Sequence, residues 1–281
     1  MSTLAPTPGP ARTRVTVHPV TFRRLLASEW VKLRSLRSTW WALAVAVVAG
    51  AALGPLQTMS VAGVIPDDVV RPDGMGAAYA LAGAPLALLT FCTFGVLGVA
   101  GEYGTGQIRS TLVAAPTRLP ALLAKLVVTV AAVLVASTVM VAVAVAATLP
   151  VLGRAGMTLD LTRPEDARIV LGMPLFLAAA SALGFTFGAL TRSTAAGITV
   201  VLGLVLVVEN GLGAIPWAPL QELVVYLPAN AGARLVTSDA LGSVLSNVPS
   251  TLPPWTGFGV MLAWVAGLLA VACVLLRRRD A

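Results

Sequence analysis

The sequence predicts an all-α integral membrane protein in which six transmembrane helices follow an N-terminal amphipathic interfacial helix, with a re-entrant external segment between spans five and six. Three observations carry this expectation. Of 281 residues, 57% are hydrophobic and 11% charged, against about 25% charged in an ordinary soluble domain. The apolar residues gather into six long runs separated by stretches rich in polar residues, Pro or Gly. The basic residues concentrate on alternate connections, which describes topology.

The net charge of +7 does not point to nucleic acid. Basic residues spaced along an apolar chain, with few aromatics among them, form no continuous binding surface. Cys92 and Cys273 both fall inside apolar runs, where cysteine behaves as a small hydrophobe. The single histidine, His18, lies in a polar tail, so no zinc site is expected. The first apolar run starts near Trp40 with no cleavage site after it, which argues against a secretory signal.

Residues 1–19, rich in Pro, Thr and Ala, are expected to form a disordered cytoplasmic tail. Over 20–38 the period is helical: Phe22, Leu25, Leu26, Trp30, Leu33 and Leu36 gather on one face, and Arg24, Ser28, Lys32 and Ser35 on the other. Glu29 intrudes near the apolar face and Arg37 sits at its edge. Such a helix lies in the interface, apolar face toward the acyl chains and basic residues toward headgroups. The plainer reading makes these residues the positive flank of the first span.

The transmembrane domain is expected over 40–276, with spans near 40–56, 77–100, 119–149, 169–190, 194–212 and 256–276. The first opens on Trp40 and Trp41 and is short, with Gly54-Pro55 allowing a kink or early exit. The second is long enough to cross about 30 Å at about 1.5 Å per residue. Its Gly95, Gly98, Gly101 and Gly104 recur every third residue and admit close approach or a bend. The third run exceeds one crossing, so its first turn, with Lys125, is expected to project or snorkel into the cytoplasm. Pro164 and Glu165 read as a helix start feeding the fourth span, which contains the small pair Gly184 and Gly188. Arg192 marks a very short turn. Between 213 and 255 six prolines break an otherwise apolar stretch, and Leu220–Leu227 reads as a short helix too brief to cross. The last span ends on Arg277, Arg278 and Arg279, leaving 277–281 as a cytoplasmic tail.

Orientation follows from the basic residues. Seven before the first span, Arg109, Arg118 and Lys125 after the second, Arg192 after the fourth and three at the C-terminus lie on one side. Arg71, Arg154, Arg163, Arg168 and Arg234 lie on the other. Both termini are therefore expected inside.

No clustered nucleophiles, bases or metal ligands mark a catalytic, cofactor or metal site. The two lysines, Lys32 and Lys125, follow Val31 and Ala124, so neither belongs to the Gly-Lys-Ser/Thr of a P-loop. Any ATP-driven work must draw on another chain. Glu209 stands near the end of an apolar span. Beside Asn210, Gly211 and Gly213 it reads either as a residue reaching the external surface or as one lining an exit path. Gly101–Lys125 is a polar island between two apolar runs, an ordinary positive loop or a segment that a partner grips.

Two stretches resemble a known family. Glu29-Trp30, Lys32-Leu33 and Arg37 before the first span look like the entry helix of ABC-2 type transporter permeases, particularly the actinobacterial ones. Glu102-Tyr103, Gly106, Ile108-Arg109, Leu112, Pro116, Arg118, Leu122 and Lys125 are similar to that family's E-[YF]-x-x-G-T-[IL]-R, L-x-x-x-P-x-[SR]-R loop, with Gln107 where Thr is usual. The resemblance implies a permease subunit, most often of an exporter, in the bacterial cell membrane. It would pair with a second permease copy, identical or related, and with ABC ATP-binding subunits that hold the ATP and Mg. On this reading residues 102–118 dock on the ATPase, with Glu102 and Arg109 making polar contacts, and the amphipathic helix connects to them. The competing class is a regulatory or immunity membrane protein that binds a partner without transporting. The cargo is not legible.

Overall fold

The computed structural model describes residues 21–62, 74–104, 106, 118–238 and 252–278. The tail over 1–19 lies outside them, as does all of 277–281 except its first two residues. Among the described residues every regular element is helical. The chain runs α1 (Phe22–Ser35), α2 (Arg37–Val61), α3 (Met75–Ala80), α4 (Ala84–Gly104), α5 (Arg118–Leu152) and α6 (Pro164–Thr191). After these come α7 (Thr194–Leu202), a π-helical turn (Gly203–Val208), α8 (Glu209–Gly213), α9 (Ala218–Val224), α10 (Pro228–Ala233) and α11 (Pro254–Arg278). Six helices are long and apolar enough to cross a membrane: α2, α4, α5, α6, the continuous run from α7 to α8, and α11.

Several boundaries differ from the sequence reading. The first span does not stop at Gly54-Pro55. α2 continues through Pro55 to Val61, because a single proline removes one backbone bond and the turns around it hold. The second span does not begin at 77. α3 ends at Ala80 and α4 starts at Ala84, since Pro85 cannot donate back to Leu81 and its ring disfavours a continuous helix there. Gly83 fills the break, and a Cβ on it would collide with the Gly50 carbonyl oxygen of α2. Pro164 does open α6, at its first turn with Glu165 and Asp166, where a missing N–H costs nothing and acidic charge suits the helix dipole.

α6 is the hub. It is buried along nearly its whole length, whereas the fifth and sixth spans keep most of their surface uncovered. Its closest neighbour is α4, and glycines set their spacing. A Cβ on Gly95 would strike the Ser181 carbonyl oxygen, and one on Gly184 the Cys92 carbonyl oxygen. A Cβ on Gly188 would lie 2.9 Å from the Val96 carbonyl oxygen. Phe91, Phe176, Leu177, Leu183 and Met140 fill the remaining core. Elsewhere in the α4 series a Cβ on Gly98 would lie 3.0 Å from Thr129 Oγ1, and none of the described residues lies within 4 Å of a Cβ built on Gly101 or Gly104.

Between the fifth and sixth spans the backbone is broken and its polar groups are satisfied from neighbouring elements. The Asn210 side-chain amide donates to the Val205 and Leu206 carbonyls at 2.9 and 3.2 Å, inside the π-helical turn. Arg168, on the first turns of α6, donates to the carbonyls of Arg234, Leu235 and Thr237 at 3.0 Å each. α10 packs on α11 so closely that a Cβ on Gly257 would collide with the Ala231 carbonyl oxygen.

The contrast along α4 is measurable. Gly95→Ala should lower stability by about 1–3 kcal/mol, the cost of overpacking, in thermal unfolding of the detergent-solubilised protein. Gly101→Ala should be neutral or gain up to about 1 kcal/mol of helix propensity.

Candidate functional site

The structure gathers four charged side chains from three helices into one joint. Glu29 and Lys32 stand one turn apart on α1, Glu102 lies on the last turn of α4, and Lys125 lies two turns into α5. Lys32 Nζ is 2.7 Å from Glu29 Oε1 and 3.1 Å from Glu102 Oε1. Lys125 Nζ is 2.7 Å from Glu29 Oε2 and 2.6 Å from Glu102 Oε1. Each lysine thus bridges both carboxylates, and charges of opposite sign alternate around the group.

Burial makes this arrangement obligatory. Glu29, Glu102 and Lys125 are each buried. A lone ionised group in such surroundings costs several kcal/mol, and insertion scales charge about 2.5–3.5 kcal/mol for a single charge at mid-bilayer. Paired, the four sum to zero net charge. Lys32 is the most solvent-facing member, with 28% of its side chain exposed. Burial works to lower its pKa, but the Glu29 hydrogen bond and the charges of Glu102 and Glu29 outweigh that, so it titrates above the usual lysine value.

Local structure explains how the residues meet. α1 ends at Ser35 because Leu36 turns extended, at φ −85° and ψ 111°. Ser35 Oγ donates to the Lys32 carbonyl at 2.8 Å and Trp40 Nε1 to the Arg34 carbonyl at 3.1 Å, so two of α1's last carbonyls are satisfied by side chains. The break lets α1 fold back against α5. Glu29, which intrudes on the apolar stripe in sequence, proves to be the buried residue of α1. Leu26 and Leu33 are partly covered beside it, while Phe22, Trp30 and Arg37 remain exposed.

Other expected site residues fall around this joint. Two expectations are corrected: Glu102 does not begin a loop, since α4 continues to Gly104, and Lys125 does not snorkel outward, since it is buried between two carboxylates. The reason is the same for both, because each charge finds its partner inside the bundle rather than in water. Tyr103 packs against the cluster of Val99, Leu122, Phe185 and Leu276. The Arg192 guanidinium lies 5.5 Å from its ring centroid, a cation–π contact. Arg192 adopts a left-handed φ of 53° as it ends α6. Gly106 is exposed with a φ of 72°. Arg109 and Pro116 lie outside the described residues. Arg118 opens α5, and its side chain lies outside the described residues too.

Glu209 departs from its surface reading. It is 1% exposed. Its Oε1 accepts from the Ala229 N–H at 3.0 Å and its Oε2 from the Asn230 N–H at 2.6 Å, so it caps the first turn of α10. Its position 20 residues before Ala229 carried no signal of this pairing.

Among the described residues no group of three or more His, Cys, Asp or Glu side chains is placed to hold a metal ion. The carboxylates of the joint are instead matched one for one by lysines. No protein-family model matches the chain, and no curated protein matches it.

Lys125→Met removes one partner of a buried network and should cost about 3–5 kcal/mol in denaturant unfolding. Adding Glu102→Gln should recover part of that loss, giving a coupling of at least about 1 kcal/mol in the double-mutant cycle. The pH dependence has a definite sign. A lysine whose folded pKa is raised contributes fully below the ordinary value of about 10.4 and loses its contribution only as pH climbs through the folded value. The difference in melting temperature between the wild type and Lys32→Gln should therefore stay constant from about pH 6 to 9 and shrink only above about 10.5.

Proposed function

We propose that the chain is the membrane-spanning permease subunit of an ATP-driven transporter of the ABC-2 kind, working as an exporter in the cell membrane with both termini in the cytoplasm. Two permease chains, identical or related, would join two ATP-binding subunits that carry ATP and Mg. The observation that carries this reading is the four-charge joint. The residues that supply it, Glu29, Lys32, Glu102 and Lys125, are four of the seven charged positions in the two stretches that resemble the family.

The physics of the joint suits force transfer. Residues 105–117 connect α4 to α5, and the Glu102–Lys125 contact ties the two helices together beside that connection. A push on the connection therefore reaches both helices at once, and through Glu29 it reaches α1. α4 is wedged by glycines against the hub helix α6, so motion at its end passes into the bundle as a rigid displacement. Basic residues on alternate connections support the orientation. On this reading α9 and α10 form the external re-entrant element, and Glu209 steadies it beside the exit.

The test uses a residue outside the buried joint. Arg109→Ala should leave membrane insertion and melting temperature intact yet lower ATP-dependent efflux by about tenfold or more, the worth of one charged hydrogen bond. It should also weaken copurification with a tagged ATP-binding subunit encoded beside this chain. Normal efflux in Arg109→Ala and Glu102→Ala would refute the coupling role. A gene neighbourhood lacking any P-loop ATPase would favour a partner-binding protein that does not transport.

A further inference from the structure

Beside the joint lies a cleft of about 410 Å³, open on one side, between α1, the start of α2, the end of α4 and the first turns of α5. Its size falls within the range of about 300–1,000 Å³ typical of ligand sites. Its lining is divided. Glu29, Lys32, Glu102 and Lys125 are gathered in one part of it, and Leu33, Leu36, Phe94, Leu97 and Val128 supply its large apolar side chains. Ser35 and Ser38 add hydroxyls. A charged part continuous with an apolar trough matches a molecule with a polar head and a hydrocarbon tail.

Charge and depth decide which one. The four charges that line the cleft sum to zero, and the excess lies around it: the stretch from Phe22 to Arg37 carries Arg23, Arg24, Lys32, Arg34 and Arg37 against the single acid Glu29, so the surface beside the cleft draws negative headgroups. Lys32 lines the cleft and is the joint's most exposed member. α1 keeps Phe22 and Trp30 uncovered, and Trp40 and Trp41 are exposed on the next turn. Such aromatics belong at the boundary between headgroups and acyl chains. We infer that the cleft holds one anionic phospholipid of the adjoining leaflet, with its phosphate beside Lys32 and an acyl chain along Leu36, Phe94 and Leu97. The bound lipid completes the packing of α1 against α4. The inference needs only a bundle that spans a membrane and stands apart from the transport reading.

Gly101 supplies the sharpest variant. It lines the cleft, and a Cβ built on it meets none of the described residues within 4 Å, so Gly101→Leu is the substitution that takes up space in the trough. The protein is reconstituted in nanodiscs of equal phosphatidylglycerol and phosphatidylcholine, then released for native mass spectrometry. The wild type should retain one phosphatidylglycerol, favoured about fivefold over phosphatidylcholine. Gly101→Leu should lose retained lipid by about tenfold or more with its melting temperature unchanged. Lys32→Gln should keep a lipid but lose the headgroup preference. If Gly101→Leu melts lower, Ala42→Phe fills the same cleft from α2 and carries the same expectation. Full retention in the cleft-filling variant that remains folded overturns the site. Equal retention of both lipids by the wild type overturns the anionic assignment.

Discussion

Everything at one end of this bundle depends on the mutual neutralisation of Glu29, Lys32, Glu102 and Lys125. Both lysines of the chain are committed to it. Each of the three buried members would cost several kcal/mol if left there without a partner of opposite charge. Four charges in alternation resolve the conflict, and they do so only if α1, α4 and α5 hold one relative position. The network is therefore a geometric constraint as much as a source of stability. It specifies where α1 must lie on a surface that would otherwise accept any apolar face.

Rigidity around the joint comes from close backbone packing. Gly95, Gly184 and Gly188 let α4 and α6 approach until carbonyls occupy the space a side chain would need. The last turn of α4 is then held from two directions, by Glu102 toward α1 and α5 and by Tyr103 toward Arg192 and the end of α6. A helix fixed in this way transmits displacement along its axis instead of absorbing it by bending. The lipid inferred beside Lys32 would act beside Gly101, where none of the described residues fills the space a side chain would take.

At the other end of the bundle, charges serve the backbone. Glu209 and Arg168 lie in helices that cross the apolar layer, and each turns its charge toward a helix end or an irregular segment. Glu209 accepts from the N–H groups that open α10, and Arg168 donates to carbonyls that follow it. A broken chain between two spans needs such partners because hydrocarbon offers none. One constraint thus explains both ends: among the described residues, the charges of the joint, Glu209 and Arg168 each meet a polar group that needs a partner away from water.

Much was legible in the residues themselves. The six apolar runs, the amphipathic period of 20–38, the helix start at Pro164 and the short helix after Pro219 all follow from local chemistry, which acts over a few residues. Pro85 carried the signal for the break before α4, though the apolar run around it concealed that signal. The glycine pair 184 and 188 showed small size but not which carbonyl would lie against it. Glu29 stood out as an acid within an apolar stripe, but nothing in its local sequence named Lys125 as its partner. What the chain's local chemistry determined was the set of helices and the membrane environment they require. What only the tertiary structure decided was that Glu29 meets Lys125 and Glu209 meets Ala229, because desolvated charges choose partners by proximity in space, and separation along the chain does not encode it.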